Sequence, residues 1–277
     1  MKTVLSFCFT FIFLQIGFTQ NLITGTIKDK VTNQPVPFAS LYVSIGGYGV
    51  LGNEDGTFKL ELSKLDKNDT VKISAIGYEN LWITRSDLNA SNNNVFYMTP
   101  LVYDIQEVEV KPKKHKYLGT IKYSKKNCSA FAGEDPNWKG KQVAIRANNE
   151  EGVKVYVESF DFYIIKNEYA DSLTFRVMLY QIGDKGLPGQ TFLQKPIIFK
   201  TNVKQGEVFV DLKEYNIIRT GDFFISLECL EESMESAKFC FAGSIKVASY
   251  FKSSAFGRWG KVKGGGADLN LKVSYKK

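Results

Sequence analysis

Histidine is almost missing from this 277-residue chain, with His115 the single copy. That scarcity excludes most zinc hydrolases, Ser-His-Asp and Cys-His triads, and two-His iron sites, all of which use imidazole as ligand or base. No Gly-x-Ser-x-Gly occurs, so a serine presented on a strained turn is missing too. Gly264-Gly265-Gly266 lacks the Lys-Ser/Thr that follows in a phosphate loop and reads as a turn. No segment sustains a helical repeat. After residue 20 no apolar run reaches the roughly 20 residues a membrane-spanning helix needs. Hydrophobic residues at 44% and charged residues at 23% still place the chain among globular proteins. Aromatics make up 14%, with 21 Phe and 14 Tyr, a composition suited to pleated surfaces.

The first 19 residues read as a secretory signal peptide. Lys2 is followed by an apolar core from Val4 to Phe18, with Gly17 and Thr19 at the small positions of a cleavage site. An uncleaved anchor is the alternative, but the run is short and Ser6, Thr10 and Gln15 dilute it. Export with cleavage leaves a mature chain with no transmembrane span. It also leaves Cys128, Cys229 and Cys240, so at most one bridge closes within the chain. Cys229 and Cys240 lie in the neighbouring runs FFISLECL and AKFCFAG, joined by the polar EESMES. That hairpin pattern suits either a Cys229–Cys240 cross-strand disulfide or two small buried thiols.

Residues 20–110 are dense in short strand signals. TFKLEL alternates, with Phe58, Leu60 and Leu62 on one face and Lys59 and Glu61 on the other, as a half-buried strand requires. Asn53-Glu54-Asp55-Gly56 reads as a tight reversal rather than a calcium loop, because it lacks the repeated oxygen ligands and the closing Glu. Four pieces then occur in order: Gly25-Thr-Ile-Lys-Asp29, Gln34-Pro-Val-Pro-Phe-Ala-Ser-Leu-Tyr-Val43, Gly49-Val-Leu-Gly-Asn-Glu-Asp-Gly-Thr-Phe58 and Val71-Lys-Ile-Ser-Ala-Ile-Gly-Tyr78. Together they resemble the carboxypeptidase regulatory-like domain, a small transthyretin-like β-sandwich common in exported Bacteroidetes proteins. The resemblance implies a non-catalytic appendage, so it does not make this chain a carboxypeptidase. Members often precede a TonB-dependent receptor, but the residues after Val110 are too few for a plug and barrel.

The net charge of +7 is uneven. Residues 20–110 carry −4, 111–126 carry +7 and 127–277 carry +3. Residues 111–127 therefore read as a basic linker, a solvated connector holding His115. Its Lys111, Lys113, Lys114 and Lys116 also suit peripheral contact with an anionic envelope surface. Nucleic acid is not an expected partner, since no recognition motif is present.

Residues 128–277 read as a second, jelly-roll-like sandwich of unassigned role. Leu173, Phe175, Val177 and Leu179 alternate with Thr174 and Arg176, and Leu269, Leu271, Val273 and Tyr275 alternate likewise. Leu173–Tyr180, Gly186–Gly189, Val210–Ile217 and Asp222–Glu228 resemble a C-terminal region of the same exported proteins, from which no activity transfers. Carboxylate candidates for polysaccharide hydrolysis are Glu134/Asp135, Glu150/Glu151, Asp161, Asp211 and Glu228. Glu228 lies opposite Ile225, Leu227 and Cys229 on its strand, a wet or paired side. Trp138, Tyr250, Arg258 and Trp259 are the candidate sugar-binding residues, with Tyr250 and Trp259 read first as core or rim residues of an aromatic-rich fold.

These readings converge on an all-β protein of two sandwiches, exported to the periplasm, outer membrane or cell surface. The expected role is a non-enzymatic binding or assembly module for a protein or glycan partner, without cofactor or metal. A carboxylate hydrolase of polysaccharide and an accessory of a TonB-dependent uptake system are the alternatives.

Overall fold

The computed structural model describes residues 22–44, 48–66, 68–88, 94–102, 114–120, 122–131, 137–149, 153–244, 247–262 and 266–276. The signal segment 1–19 lies outside them, as do Lys111, Lys113, Glu134, Asp135, Glu150 and Glu151.

The N-terminal sandwich has seven strands: β1 (Leu22–Asp29), β2 (Ser40–Val43), β3 (Gly49–Leu51), β4 (Thr57–Glu61), β5 (Thr70–Ser74), β6 (Leu81–Thr84) and β7 (Asn94–Met98). One sheet runs β4-β1-β7 and the other β3-β2-β5-β6. β4 shows the expected alternation, with Phe58 and Leu60 buried and Lys59 and Glu61 exposed. Ile23 and Ile27 from β1 meet Leu41, Val71 and Ile73 from the facing sheet in one apolar cluster. The acidic turn before β4 is the reversal the sequence suggests. Asp55 accepts from the Thr57 backbone at 2.9 Å and its hydroxyl at 2.6 Å, while Gly56 adopts φ +75. A carboxylate engaged in this way closes the turn.

The second sandwich comprises β8 (Lys114–Gly119), β9 (Cys128–Ser129), β10 (Gln142–Ala147), β11 (Val155–Asn167), β12 (Leu173–Ile182), β13 (Pro188–Thr191), β14 (Ile197–Thr201) and β15 (Gly206–Asp211). It continues with β16 (Ile218–Arg219), β17 (Phe223–Cys229), β18 (Phe239–Ser244), β19 (Ser249–Lys252), β20 (Gly260–Val262), β21 (Gly266–Ala267) and β22 (Leu269–Tyr275). One sheet contains the order β8-β22-β11-β15 and the other β10-β17-β12-β14. In chain order β8, β10, β11, β12, β14, β15, β17, β22, every step crosses between sheets except the β12–β14 hairpin. That is jelly-roll connectivity. The remaining long strands are insertions between β17 and β22. β18 prolongs the line of β22 along β11, and β19 with β20 widens the other sheet beyond β10. Phenylalanines fill the space between sheets, with Phe162 and Phe175 rings 6.3 Å apart and Phe175 and Phe239 rings 5.5 Å apart.

Two sequence readings need correction. The 111–127 segment is not wholly a linker, because Lys114–Gly119 forms β8 and pairs antiparallel with β22 along its length. Lys114 and Lys116 belong to an edge strand, where positive side chains discourage pairing with another chain. His115 is thus inside the second sandwich, its Nδ1 3.2 Å from Glu158 Oε2. The disulfide is Cys128–Cys240, with Cα atoms 5.6 Å apart, and Cys229 is a buried free thiol. The Cys229–Cys240 pairing fails because β17 and β18 lie in opposite sheets and make no hairpin.

Candidate binding site between the two sandwiches

The β17 run Phe223–Cys229 is buried at every position, although only alternate residues face the jelly-roll core. On its other face Phe224 packs against Tyr250, and Glu228 borders a cavity at the junction with the N-terminal sandwich. The register places Arg176, Glu228, Gln142 and Lys252 side by side on β12, β17, β10 and β19, a polar rung across four strands. Arg176 Nε donates to Glu228 Oε2 at 2.6 Å, with the two side chains 8% and 1% exposed. Burial opposes the Arg176 charge, but Glu228 more than offsets it and holds the guanidinium above its ordinary value. Two rungs along, Tyr180 donates to Gln142 Oε1 at 2.6 Å, and Ser226 donates to the same oxygen at 3.3 Å. Burial pushes the Tyr180 phenol well up, so it stays a neutral donor. Burial pulls the Lys252 ammonium down, against the raising influence of Glu228.

The N-terminal sandwich closes this face with β2 and β5. Ser40 and Ser74 pair across these strands and, with Lys72, look toward the rung across a cavity of about 520 Å³. Asn80, Gln190 and Thr191 complete its polar lining, and Tyr78, Met178 and Leu193 its apolar part. Clamping contacts hold the halves around it. Phe38, in the left-handed region at φ 50, turns its carbonyl to Arg176 Nη1 at 3.4 Å. Phe38 and Leu51 form a small apolar cluster with Leu230. Tyr42 stacks on Phe256 at 5.4 Å, and Lys200 pairs with Glu54 at 2.8 Å.

A larger open groove of about 960 Å³ runs along another side of the junction. Several of its charged groups are engaged: Lys139 pairs with Glu232 at 2.9 Å and bonds Asn53, and Glu231 accepts from the Thr174 backbone at 2.6 Å. That groove is a seam between the sandwiches, whereas the smaller cavity holds more cations than anions. Lys72 Nζ sits 5.6 Å over the Trp82 ring and Lys252 Nζ 5.9 Å over Trp259. Neither lysine makes an ion pair among the described residues.

The four aromatic and basic candidates do not form one surface. Trp138 is buried against Phe131, with ring centroids 5.6 Å apart. Tyr250 is buried against Phe224 at 4.8 Å. Trp259 is half-buried, edge-on to Tyr180, and Arg258 is exposed. Trp138 and Tyr250 are therefore packing residues. Trp259 borders the cavity through its contacts with Tyr180 and Lys252. The described hydrolase carboxylates do not meet at one site, although Asp161 and Asp211 lie on the neighbouring strands β11 and β15. Asp161 is buried and accepts from Tyr123, Asp211 is exposed and caps the Lys213 backbone at 3.0 Å, and Glu228 is held by Arg176. No metal-holding group of three His, Cys, Asp or Glu occurs among the described residues. Lys114 is exposed on β8, and Lys116 bonds Asn149 at 2.8 Å and lies 5.3 Å from the Tyr275 ring.

Arg176, Gln142, Lys252 and Lys72 were not singled out by sequence. Each is a polar residue on the outward face of an alternating strand, indistinguishable there from a solvated one. Only strand register and the second sandwich make them neighbours.

Fold and cavity together define an all-β protein of two docked sandwiches with a polar chamber between them. Residues 23–110 match the family model of the CarboxypepD_reg-like domain, and the N-terminal sandwich is a domain of that type. Comparison with curated proteins gives no match. Among solved structures, the chain is similar to the cysteine protease and lectin-like domains of Cwp84, a surface layer associated protein of Clostridium difficile. That match has 9% identity and a TM-score of 0.38, covering 77% of this chain and 47% of that one, about half its length. It is also similar to a DUF3823 family protein from Bacteroides ovatus, at 10% identity and a TM-score of 0.21, covering 92% and 99%. The infectious bursal disease virus VP2 subviral particle matches at 9% identity and a TM-score of 0.27, covering 91% and 63%. Scores this low carry no functional argument. No helix of the described residues is long and apolar enough to cross a membrane.

Proposed function

We propose that this protein is an exported, non-enzymatic binding or assembly module of the cell envelope, acting on a protein or glycan partner. The observation that supports it is the chamber between the sandwiches, walled by hydrogen-bonding side chains, with its one described carboxylate tied to an arginine. Glycoside hydrolysis needs two carboxyl groups spaced about 5–9.5 Å apart, one of them free to exchange a proton. Glu228, paired to Arg176 at 2.6 Å, is poorly placed for that role. A CarboxypepD_reg-like domain at the N-terminus and the apolar leader at residues 4–18 favour the envelope setting.

The test uses the mature chain in a glycan array and in pull-downs from envelope fractions, with products followed by chromatography. Retention of a partner without turnover supports the reading. Hydrolysis that disappears in Glu134→Gln or Asp135→Asn overturns it. Export is checked by N-terminal sequencing of protein recovered from the periplasm or cell surface, with Gln20 expected as the first residue.

A further inference from the structure

We infer that the chamber between the sandwiches is a binding site for an acidic saccharide, one that carries a carboxylate among its hydroxyl groups. This rests on the binding reading above and names the ligand class of that site. Charge decides the acidic part. Three cations line the chamber, Lys72, Arg176 and Lys252, against a single anion, Glu228. Glu228 pairs with Arg176 and also acts on Lys252, so the chamber keeps an excess of cations, with Lys72 and Lys252 contributed by opposite sandwiches beside the Trp82 and Trp259 rings. An ammonium drawn partly out of water without a counter-charge is costly, and a ligand carboxylate between the two lysines removes that cost. The lowered pKa of Lys252, caused by burial, reports the same deficit.

The remaining lining decides the saccharide part. Ser40 and Ser74 from one side, with Asn80 and Gln190 around them, offer donors and acceptors at many angles, as a polyhydroxylated ligand requires. Tyr78 contributes an amphipathic ring of the kind on which sugar C–H surfaces pack. The apolar lining, chiefly Phe38, Ile76, Leu101, Met178 and Leu193, is interspersed with these polar groups rather than gathered into the separate side-chain pockets a peptide would need. The volume of about 520 Å³ falls within the roughly 300–1,000 Å³ of small-ligand sites.

Isothermal titration calorimetry on the mature chain tests this, using tri-galacturonate and the neutral trigalactose as probes. Tri-galacturonate is expected to bind at least about tenfold more tightly than trigalactose. Lys252→Met and Lys72→Met are each expected to weaken it by about tenfold or more, as loss of a charge-assisted hydrogen bond does. Lys213→Met, in the turn after β15 and outside the chamber lining, is expected to change it by less than about twofold, which separates a site from general basicity. Thermal melts report whether each variant folds, and Lys72→Met, on the N-terminal sandwich, carries the test if Lys252→Met does not. Equal binding of both probes, indifference to both lysine variants, or no binding at all overturns the acidic-saccharide site. The glycan array and pull-downs still judge the binding reading in each of those cases. Cleavage of tri-galacturonate would overturn the non-enzymatic reading while leaving the site where it is.

Discussion

Arg176 and Glu228 leave water together, at 8% and 1% exposure, and their energetics follow from that. A buried pair contributes little net stability, but removing one partner strands the other's charge. Glu228→Gln or Arg176→Met alone is therefore expected to cost about 3–5 kcal/mol, read by denaturant unfolding. The double variant Arg176→Met/Glu228→Leu is expected to recover most of that loss, and a double variant as unstable as the worse single one would contradict this account. Tyr78 and Asp29 form a second polar pair, the phenol donating to Asp29 Oδ2 at 2.9 Å. Burial and then Asp29 push the Tyr78 pKa from 10.0 to about 12, while backbone bonds from Thr32 and Val31 hold the Asp29 carboxyl below 3.8. A raised phenol pKa means the neutral form is favoured on folding. Its contribution is complete below pH 10 and is lost as pH rises through about 12. Asp29 contributes above its unfolded value and loses that contribution as pH falls through its lowered one. Tyr78→Phe is thus expected to flatten the stability profile between pH 10 and 12 relative to wild type, measured by urea midpoints across that range. At this scale the sequence is nearly mute. It places Glu228 on the face away from the core, and the finding that this face is paired came only with the register to Arg176.

Strands were legible wherever one face met water. TFKLEL displays its alternation because Lys59 and Glu61 are exposed, and the turn before it is marked by Asp55 and Gly56. The lysine-rich 114–119 stretch was not legible, since an edge strand with few buried positions has the composition of a connector. FFISLEC concealed its setting for the opposite reason, because both of its faces are covered. The disulfide shows a limit of local pattern. Two apolar runs separated by six polar residues look like a hairpin, yet a jelly roll sends consecutive strands to opposite sheets. Cys240 instead meets Cys128 on β9, 112 residues away. Closing a loop of that length stabilises the folded chain by roughly 4–5 kcal/mol in the chain-entropy account. The Cys128→Ser/Cys240→Ser variant is expected to lose most of that in denaturant unfolding, as is the reduced wild-type protein. Cys229 is expected to behave differently. Burial pushes its thiol far up, so thiolate is scarce and the native protein should resist iodoacetamide until unfolded. Rapid native-state labelling, seen by mass spectrometry, would contradict that placement.

The two sandwiches dock through groups of complementary sign and close backbone approach, and the chamber exists only because they do. Residues 20–110 carry net −4 while the rest of the mature chain is basic, and cations of the second sandwich reach acceptors of the first. Lys200 meets Glu54, Lys139 meets Asn53, and Arg176 meets the Phe38 carbonyl. Gly77, in the Gly-Tyr pair that ends the family pattern, sets one close backbone approach. It adopts φ +88, and a Cβ there would lie 2.7 Å from the Gln194 carbonyl oxygen of the other sandwich. Gly77→Ala therefore combines two penalties, about 1–2 kcal/mol for a side chain in the left-handed region and a collision that forces the sandwiches apart. Gly186→Ala separates the two, since Gly186 adopts φ +70 with open space around the added carbon. Gly186→Ala is expected to lower the melting temperature while leaving a single calorimetric transition. Gly77→Ala is expected to lower it further and to split the transition, the small N-terminal sandwich melting first once its docking energy is lost. A single transition for Gly77→Ala, shifted no more than that of Gly186→Ala, would mean that the sandwiches are not held at that contact. The polar rung and the facing lysines would then need another explanation for being brought together.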